Sequence, residues 1–281
     1  MQYFAIVSPH ISVRAEEVAS IFGVSITNSH VLGALGLIIL VLLFLHTVRV
    51  ANGKQKSTFV SRLMTWAFSG LYRTVEQVIP DPKWARRVAP LVITIFFFVV
   101  AQYWLGLLPI VGPITVQNAS GVTLPLMRGG VADLNMTFGL AIITMVAAQV
   151  YAFKYLGFQG SASRYFTNPF KNPIMSFVGV LELIAELSRL LGLSFRLFGN
   201  VLAGEVLLIM IAFLTNYLSP IALQPFYLFE LFIGGIQAYI FFMLSTVFIS
   251  LGLSHHGDDG EKQTHSEKHP SPAEPIMVGG E

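Results

Sequence analysis

Arg196 stands in the stretch Ser188–Glu205, one of the most apolar of the chain, in company with Arg189, Asn200 and Glu205. A guanidinium stays charged under all protein conditions, so it cannot escape a low-dielectric environment by losing a proton. Its charge must be paired or used. A carboxylate at membrane depth is costly when ionised and tends to be protonated or ion-bound, whereas a nearby arginine favours its ionised form. A partner carboxylate passing Arg196 must therefore release its ion on approach and take up another on departure.

Helical periodicity shows what shares that surface. At about 100° per residue, Glu182, Glu186, Arg189, Leu193, Arg196 and Asn200 follow steps of three and four along one stripe. Glu205 lies off the stripe, about one and a half turns beyond Asn200. Gly192, Gly199, Ala203 and Gly204 are small enough for another helix to approach closely. Further on, Glu230 and Gln237 are seven residues apart and share a helix face. Each group has a structural alternative: Arg196 in an ion pair with Glu205 or Glu230, Asn200 and Gln237 as interhelical hydrogen-bond links, and Glu182, Glu186 and Arg189 as an interfacial salt-bridge cluster.

These groups must be positioned by membrane helices. The chain is 54% hydrophobic and 11% charged, with mean hydropathy +0.68, against about 25% charged residues in soluble domains. This is the composition of a polytopic membrane protein. A net charge of +2 and the lack of a basic run with interleaved aromatics argue against nucleic acid. With no cysteine there is no disulfide framework, thiolate nucleophile or Cys-ligated metal. No phosphate-binding G-x-x-x-x-G-K-[ST] loop occurs, so the chain by itself is not expected to be a nucleotide-handling enzyme.

Along the chain, residues 1–29 form an outer-face segment without the features of a signal peptide, ending in a Ser25–Ser29 cluster suited to capping a helix. A membrane domain follows over 30–253, with helices expected at about 30–48, 88–108, 134–155, 174–218 and 226–253. The basic residues Arg49, Lys54, Lys56, Arg62, Arg73, Lys83, Arg86 and Arg87 put the first connection on the cytoplasmic side, or the matrix or stroma side in an organelle. Within it, 58–79 has an apolar face of Val60, Met64, Ala67, Leu71, Val75 and Val78, the pattern of an interfacial amphipathic helix. Tyr103 and Trp104 stand near the far end of the second span, where an aromatic belt belongs. The loop 109–133 has one basic residue, Arg128, as an outer loop should. Lys154, Arg164 and Lys171 return the chain to the basic side, and Asn168–Pro173 breaks the helix.

The next proline-free run, to about Tyr217, implies a helix of roughly 60 Å or more. A hydrocarbon core of about 30 Å cannot hold it upright. It is either strongly tilted or broken near Gly192 or Gly199. Pro220 and Pro225 mark the following turn. The fold class is all-α: about five membrane helices, an interfacial helix and a long, tilted C-terminal helical hairpin. Residues 254–281 read as a disordered cytoplasmic tail, in which His255, His256, Asp258 and Asp259 are taken as solvated and not as a metal site. His30 and His46, at the ends of the first span, are read as interfacial.

The motif Ser194-Phe-Arg-Leu-Phe-Gly-Asn-Val-Leu-Ala-Gly-Glu205 closely resembles the signature of subunit a of F-type ATP synthases, the stator channel subunit of the membrane sector. Ile26–Ser29 and Asp133–Thr137 resemble the family pattern ahead of the first and third spans. The resemblance implies that Arg196 faces the ion-binding carboxylates of a rotor ring of subunit c and exchanges ions with them. Asn200, Glu205, Glu230 and Gln237 would line an aqueous half-channel, and Glu182, Glu186 and Arg189 the inner half-channel, if they are not the salt-bridge cluster. Two offset paths opening to opposite faces then make ion flow one-way, and Arg196 blocks leakage between them.

The resemblance further implies no cofactor, a peripheral-stalk subunit b and the rest of the synthase as partners, and protons, or alternatively sodium, as the translocated ion. The lack of a recognisable transit peptide points to a bacterial plasma membrane in preference to an organelle inner membrane, with the C-terminus expected to be cytoplasmic. Many family members have histidine where Glu230 stands. The family also commonly has proline between the positions of Arg189 and Arg196, where this chain has Leu190, Leu191 and Gly192. Two competing functions remain at this point: an ion-coupled secondary transporter, which needs its own substrate site and no rotor, and a non-conducting membrane scaffold.

Overall fold

The computed structural model describes residues 16–21, 24–108, 111, 115–117, 123–165 and 173–254. Long helices dominate it. They are α1 (Asn28–Ala51), α2 (Phe59–Val78), α3 (Pro82–Gly106), α4 (Leu134–Tyr165), α5 (Pro173–Thr215) and α6 (Ser219–Ser254). Four stretches are long and apolar enough to cross a membrane, and the last, Phe177–Leu253, contains both α5 and α6. Two antiparallel hairpins that the sequence pattern did not announce are added: β1 (Glu17–Ile21) with β2 (Val24–Thr27), and β3 (Thr115–Gln117) with β4 (Thr123–Pro125).

Local chemistry sets the helix starts. Thr27 caps α1, its backbone N–H donating to Nδ1 of His30 at 3.3 Å. His46, at the other end, lies 2.6 Å from the Thr58 hydroxyl at the start of α2. Asp81 caps α3, accepting from the Lys83 N–H at 2.8 Å, with Pro82 in the first turn where a missing N–H costs nothing. That cap starts α3 six residues ahead of the apolar run expected from Val88, because charged residues in a first turn are compatible with helix although they lower the hydropathy.

Two further boundaries are corrected. The helix α4 runs to Tyr165, ten residues past the expected Tyr155. No proline interrupts 156–165, so its polar composition alone does not stop the helix. The expected breaker Asn168–Pro173 falls outside the described residues except for Pro173, which opens α5. The helix α6 starts at Ser219, so Pro225 lies inside it and not before it. The cost is one bond to the Ile221 carbonyl.

No break occurs near Gly192 or Gly199: α5 is one helix of 43 residues, about 64 Å long. A short 3₁₀ turn, Asn216–Leu218, reverses the chain into α6, with Asn216 at φ 44 in the left-handed region that asparagine tolerates better than most residues. Arg14 and the tail 255–281 lie outside the described residues.

The core has two parts that share α3 and α6. In one, Leu40 of α1 and Leu71 and Val75 of α2 pack with Val88, Val92 and Phe97 of α3 and Phe242 and Ile249 of α6. In the other, Val99 of α3, Leu140 of α4 and Leu193 and Leu197 of α5 pack with Ala238 and Phe241 of α6. The amphipathic α2 thus turns Leu71 and Val75 inward, with Met64 and Ala67 packed against them. A neighbouring stripe, Phe59, Leu63 and Trp66, remains exposed.

The N-terminal ends of α1 and α4 are tied together by Asp133, which is buried at the start of α4. Its Oδ1 accepts from the Asn135 N–H at 3.0 Å and its Oδ2 from the Ser29 hydroxyl of α1 at 2.8 Å. Beside it, Asn28 donates to the Pro125 carbonyl at 3.4 Å, joining α1 to β4. Asp133→Ala removes a helix cap and the carboxylate that accepts from the buried Ser29 hydroxyl, leaving Ser29 only its contact with the Thr27 hydroxyl. The variant is expected to lose about 1–2 kcal/mol, measured as a lower unfolding midpoint of the detergent-solubilised protein.

Candidate functional site

Three clusters of polar groups sit along α5, the longest helix. The innermost comprises Glu182, Glu186 and Arg189, which line a cavity shared with Gln149 and Ala152 of α4 and Phe248 and Gly252 of α6. An Arg189 guanidinium nitrogen lies 3.5 Å from Glu182 Oε1, and Gln149 donates to Glu186 Oε1 at 2.6 Å. The Arg189 guanidinium also lies 5.8 Å from the centre of the Phe248 ring. In geometry Arg189 and Glu182 form an ion pair, and the three residues line one cavity.

Arg196 and Asn200 come next, about 10 and 16 Å beyond Arg189 along the helix. Arg196 is exposed. Its open face is shared by Ser188, Gly192, Gly199 and Ala203, all exposed, and a Cβ at Gly192 or Gly199 would meet nothing within 4 Å. Behind this face Leu193 and Leu197 are buried in the core, and Ser194 lies 3.1 Å from the Thr137 hydroxyl of α4. The motif thus anchors one side of α5 in the bundle and presents Arg196 on the other. Asn200 reaches back to α6, donating to Gln237 Oε1 at 2.5 Å.

The third cluster surrounds an outer cavity lined by Gln102, Tyr103, Gly106, Gly129, Glu205 and Glu230, among others. Glu205 accepts from Arg128 at 3.3 Å. Glu230 is buried and accepts a short hydrogen bond from the Tyr103 hydroxyl. Two glycines make room for it. A Cβ at Gly204 would overlap the Glu230 carboxylate, and one at Gly234 would lie 2.5 Å from the Tyr103 ring.

The structural alternative for Arg196, an ion pair with Glu205 or Glu230, is not formed: those carboxylates bond Arg128 and Tyr103. Among the described residues Arg196 has no hydrogen-bond or ion-pair partner. The site residues expected from sequence therefore separate into an inner set, a central pair and an outer set.

Four residues of the site were not picked out in advance. Tyr103, assigned to an aromatic belt, is instead 2% exposed and faces Glu230. Only Trp104 is exposed as a belt residue should be, its indole N–H donating to the Leu231 carbonyl at 3.1 Å. Arg128 was noted only as a topological marker. Gln102 and Gln149 are isolated amides within apolar helices, a signal that was present in the sequence.

Comparison with known proteins bears on this arrangement. The profile of the ATP synthase A chain family matches residues 31–250. ATP synthase subunit a of Enterococcus hirae is 34% identical over 218 residues, covering 75% of this chain and 86% of that protein. ATP synthase subunit a 2 of Vibrio campbellii is 33% identical over 193 residues, 66% of this chain and 74% of the relative. ATP synthase subunit a of Buchnera aphidicola is 33% identical over 174 residues, and there the match spans 61% of this chain and 64% of the relative, a little under two thirds of its length. With the family profile running from the first membrane helix to the last, through all three polar clusters, this chain belongs to the ATP synthase A chain family.

Proposed function

We propose that this chain is the proton-translocating stator subunit of an F-type ATP synthase, with Arg196 exchanging protons with carboxylates on a passing ring of subunit c. The observation that carries this reading is the placement of Arg196. It lies on an open face of α5, without a partner in its own chain among the described residues, between an inner cavity and an outer one. A fixed cation left open to the outside of the bundle suits an acidic partner that comes and goes. The small residues Gly192, Gly199 and Ala203 beside it suit a partner helix at close range.

In this mechanism a proton enters through the outer cavity, past Glu205, Glu230, Asn200 and Gln237. It neutralises a ring carboxylate, travels with the ring, and is released beside Arg196 towards Glu186, Glu182 and Arg189. Arg196 favours the ionised ring carboxylate only while that group faces it. The ring then turns towards the side where its carboxylate can be neutralised again. ATP chemistry resides in the rest of the complex, held against this chain by subunit b. The chain lies in a bacterial plasma membrane with its C-terminus in the cytoplasm.

The test is to purify the complex through a tag on this chain and reconstitute it in sodium-free vesicles. Copurification of a ring of small carboxylate-bearing subunits, with ATP-driven acidification of the lumen, is the expected result. Acidification that requires added sodium would replace the proton by sodium in the same mechanism. Solute uptake by this chain alone, without a ring, would overturn the proposal.

A further inference from the structure

An open groove of about 410 Å³ lies between α3 and α4 and shares no lining residue with the inner or outer cavity. Both helices pack on α6, which leaves the space between them to side chains. Leu91 of α3 walls one side, and Ile142, Val146 and Val150 of α4, all exposed, wall the other. Tyr151 and Lys154 stand last along α4. From Ile142 to Lys154 the groove runs about 18 Å along the helix. One leaflet of a hydrocarbon core of about 30 Å is about 15 Å deep, so the groove matches a single acyl chain and is too short for a helix that crosses the whole membrane.

The Lys154 end of the groove has the chemistry to take an anion. Arg87 lies one turn before Leu91, on the same face of α3. Its guanidinium sits 5.0 Å from the centre of the Trp84 ring, which meets Tyr151 and Tyr155 edge-on at 6.4 and 5.5 Å. The Tyr151 hydroxyl donates to the Arg87 carbonyl at 3.0 Å, so this turn of α3 is held against the turn of α4 that carries Lys154. Among the described residues the side chains of Arg87 and Lys154 have no hydrogen-bond acceptor or ion-pair partner. Neither α3 nor α4 contains a carboxylate, and Asp81, ahead of α3, is committed to the Lys83 N–H.

We propose that this groove binds an anionic phospholipid from the leaflet on the basic side of the membrane, one acyl chain lying along Ile142, Val146 and Val150 and the phosphate held by Lys154 and Arg87. Lysine supplies a point charge on a flexible stem, and arginine a planar set of N–H donors suited to phosphate oxygens. Trp84 and Tyr151 are amphipathic rings at the level where head group meets hydrocarbon. A basic pocket between membrane helices attracts a negatively charged head group. A zwitterionic lipid fits the same walls, but its own cation offsets the attraction of two uncompensated positive side chains. The site is independent of the exchange role of Arg196.

For the test, the protein is purified through a tag on this chain, with the subunits that accompany it, and placed in phosphatidylcholine vesicles. These contain a trace of phosphatidylglycerol carrying a photoactivatable diazirine midway along one acyl chain. After illumination, label on residues 142–150 is quantified by mass spectrometry. It is expected to exceed by about tenfold the label from phosphatidylcholine bearing the same diazirine, and to be displaced by unlabelled phosphatidylglycerol. Lys154→Gln is expected to lower it about fivefold and Lys154→Arg to keep it within about twofold. Lys154 is exposed, so neither change removes a core contact. Ala147→Phe, which fills part of the groove wall, is expected to lower labelling by both lipids. Equal labelling by the two lipids would mean annular lipid only and overturn the site. Labelling by neither, the result if a helix of another subunit covers the groove, would overturn it too, as would an unchanged preference in Lys154→Gln.

Discussion

Arg196→Ala is expected to reduce ATP-driven proton pumping by about 100-fold or more, equivalent to about 2.7 kcal/mol of lost coupling, while the complex continues to copurify intact. Both halves of that result follow from placement. Arg196 makes no hydrogen bond or ion pair within the described chain and is exposed, so its removal takes away no contact that holds the bundle together. Substitutions of that kind cost the fold within about 0.5 kcal/mol. Under the proposed mechanism, what disappears is the fixed charge that favours ionisation of a passing carboxylate.

Arg196→Lys is expected to restore less than about a tenth of the activity, since an ammonium at membrane depth can lose its proton and a guanidinium cannot. Pumping is read by quenching of a pH-sensitive dye in inverted vesicles, assembly by recovery of the ring on a tag. Unchanged pumping in an intact Arg196→Ala complex would remove the ion-exchange role.

Gly204→Val is expected to cost about 2–3 kcal/mol and to reduce pumping by tenfold or more, because it strikes a place where the fold has no slack. The first carbon added at Gly204 already overlaps the Glu230 carboxylate. Glu230 cannot simply retreat: it is buried, bonded to Tyr103, and the Tyr103 ring rests against Gly234. The α5–α6 contact must therefore open at the outer cavity.

Gly199→Ala provides the contrast. Its Cβ meets nothing within the chain, and alanine is the better helix former by about 1 kcal/mol. The expected pattern is normal stability for Gly199→Ala and a lowered unfolding midpoint with poor pumping for Gly204→Val, compared by thermal unfolding and the same dye assay. Equal stability of the two would show that Glu230 is free to move.

Much of the membrane architecture was legible without coordinates, because membrane solvation is a one-dimensional constraint. A helix that crosses hydrocarbon needs a sustained apolar run, so α1, α3, α4 and the α5–α6 hairpin are written into hydropathy, and the excess length of α5 into the lack of proline. Helix ends were legible less well, as the starts of α3 and α6 show. There the outcome depends on one cap at Asp81 and on tolerance of Pro225 inside a long helix.

The site divides along the same line. Arg196, Asn200, Glu205, Glu230 and Gln237 were identifiable by themselves, since a charge or amide inside an apolar run must be explained wherever it points. Sequence could not determine what each one faces. The partners joined across the bundle, Glu230 with Tyr103, Glu205 with Arg128 and Glu186 with Gln149, are separated by 127, 77 and 37 residues. Such pairings arise only when α3, α4, α5 and α6 pack at one particular rotation and offset. That packing turned Tyr103 from the lipid boundary into the interior and left Arg196 open on the outside. The residue types and their periodicity determined which charges had to be accommodated in the membrane. The tertiary structure alone decided which were neutralised within the chain and which remained open, because the distances between side chains on different helices are set by helix packing and not by spacing along the sequence.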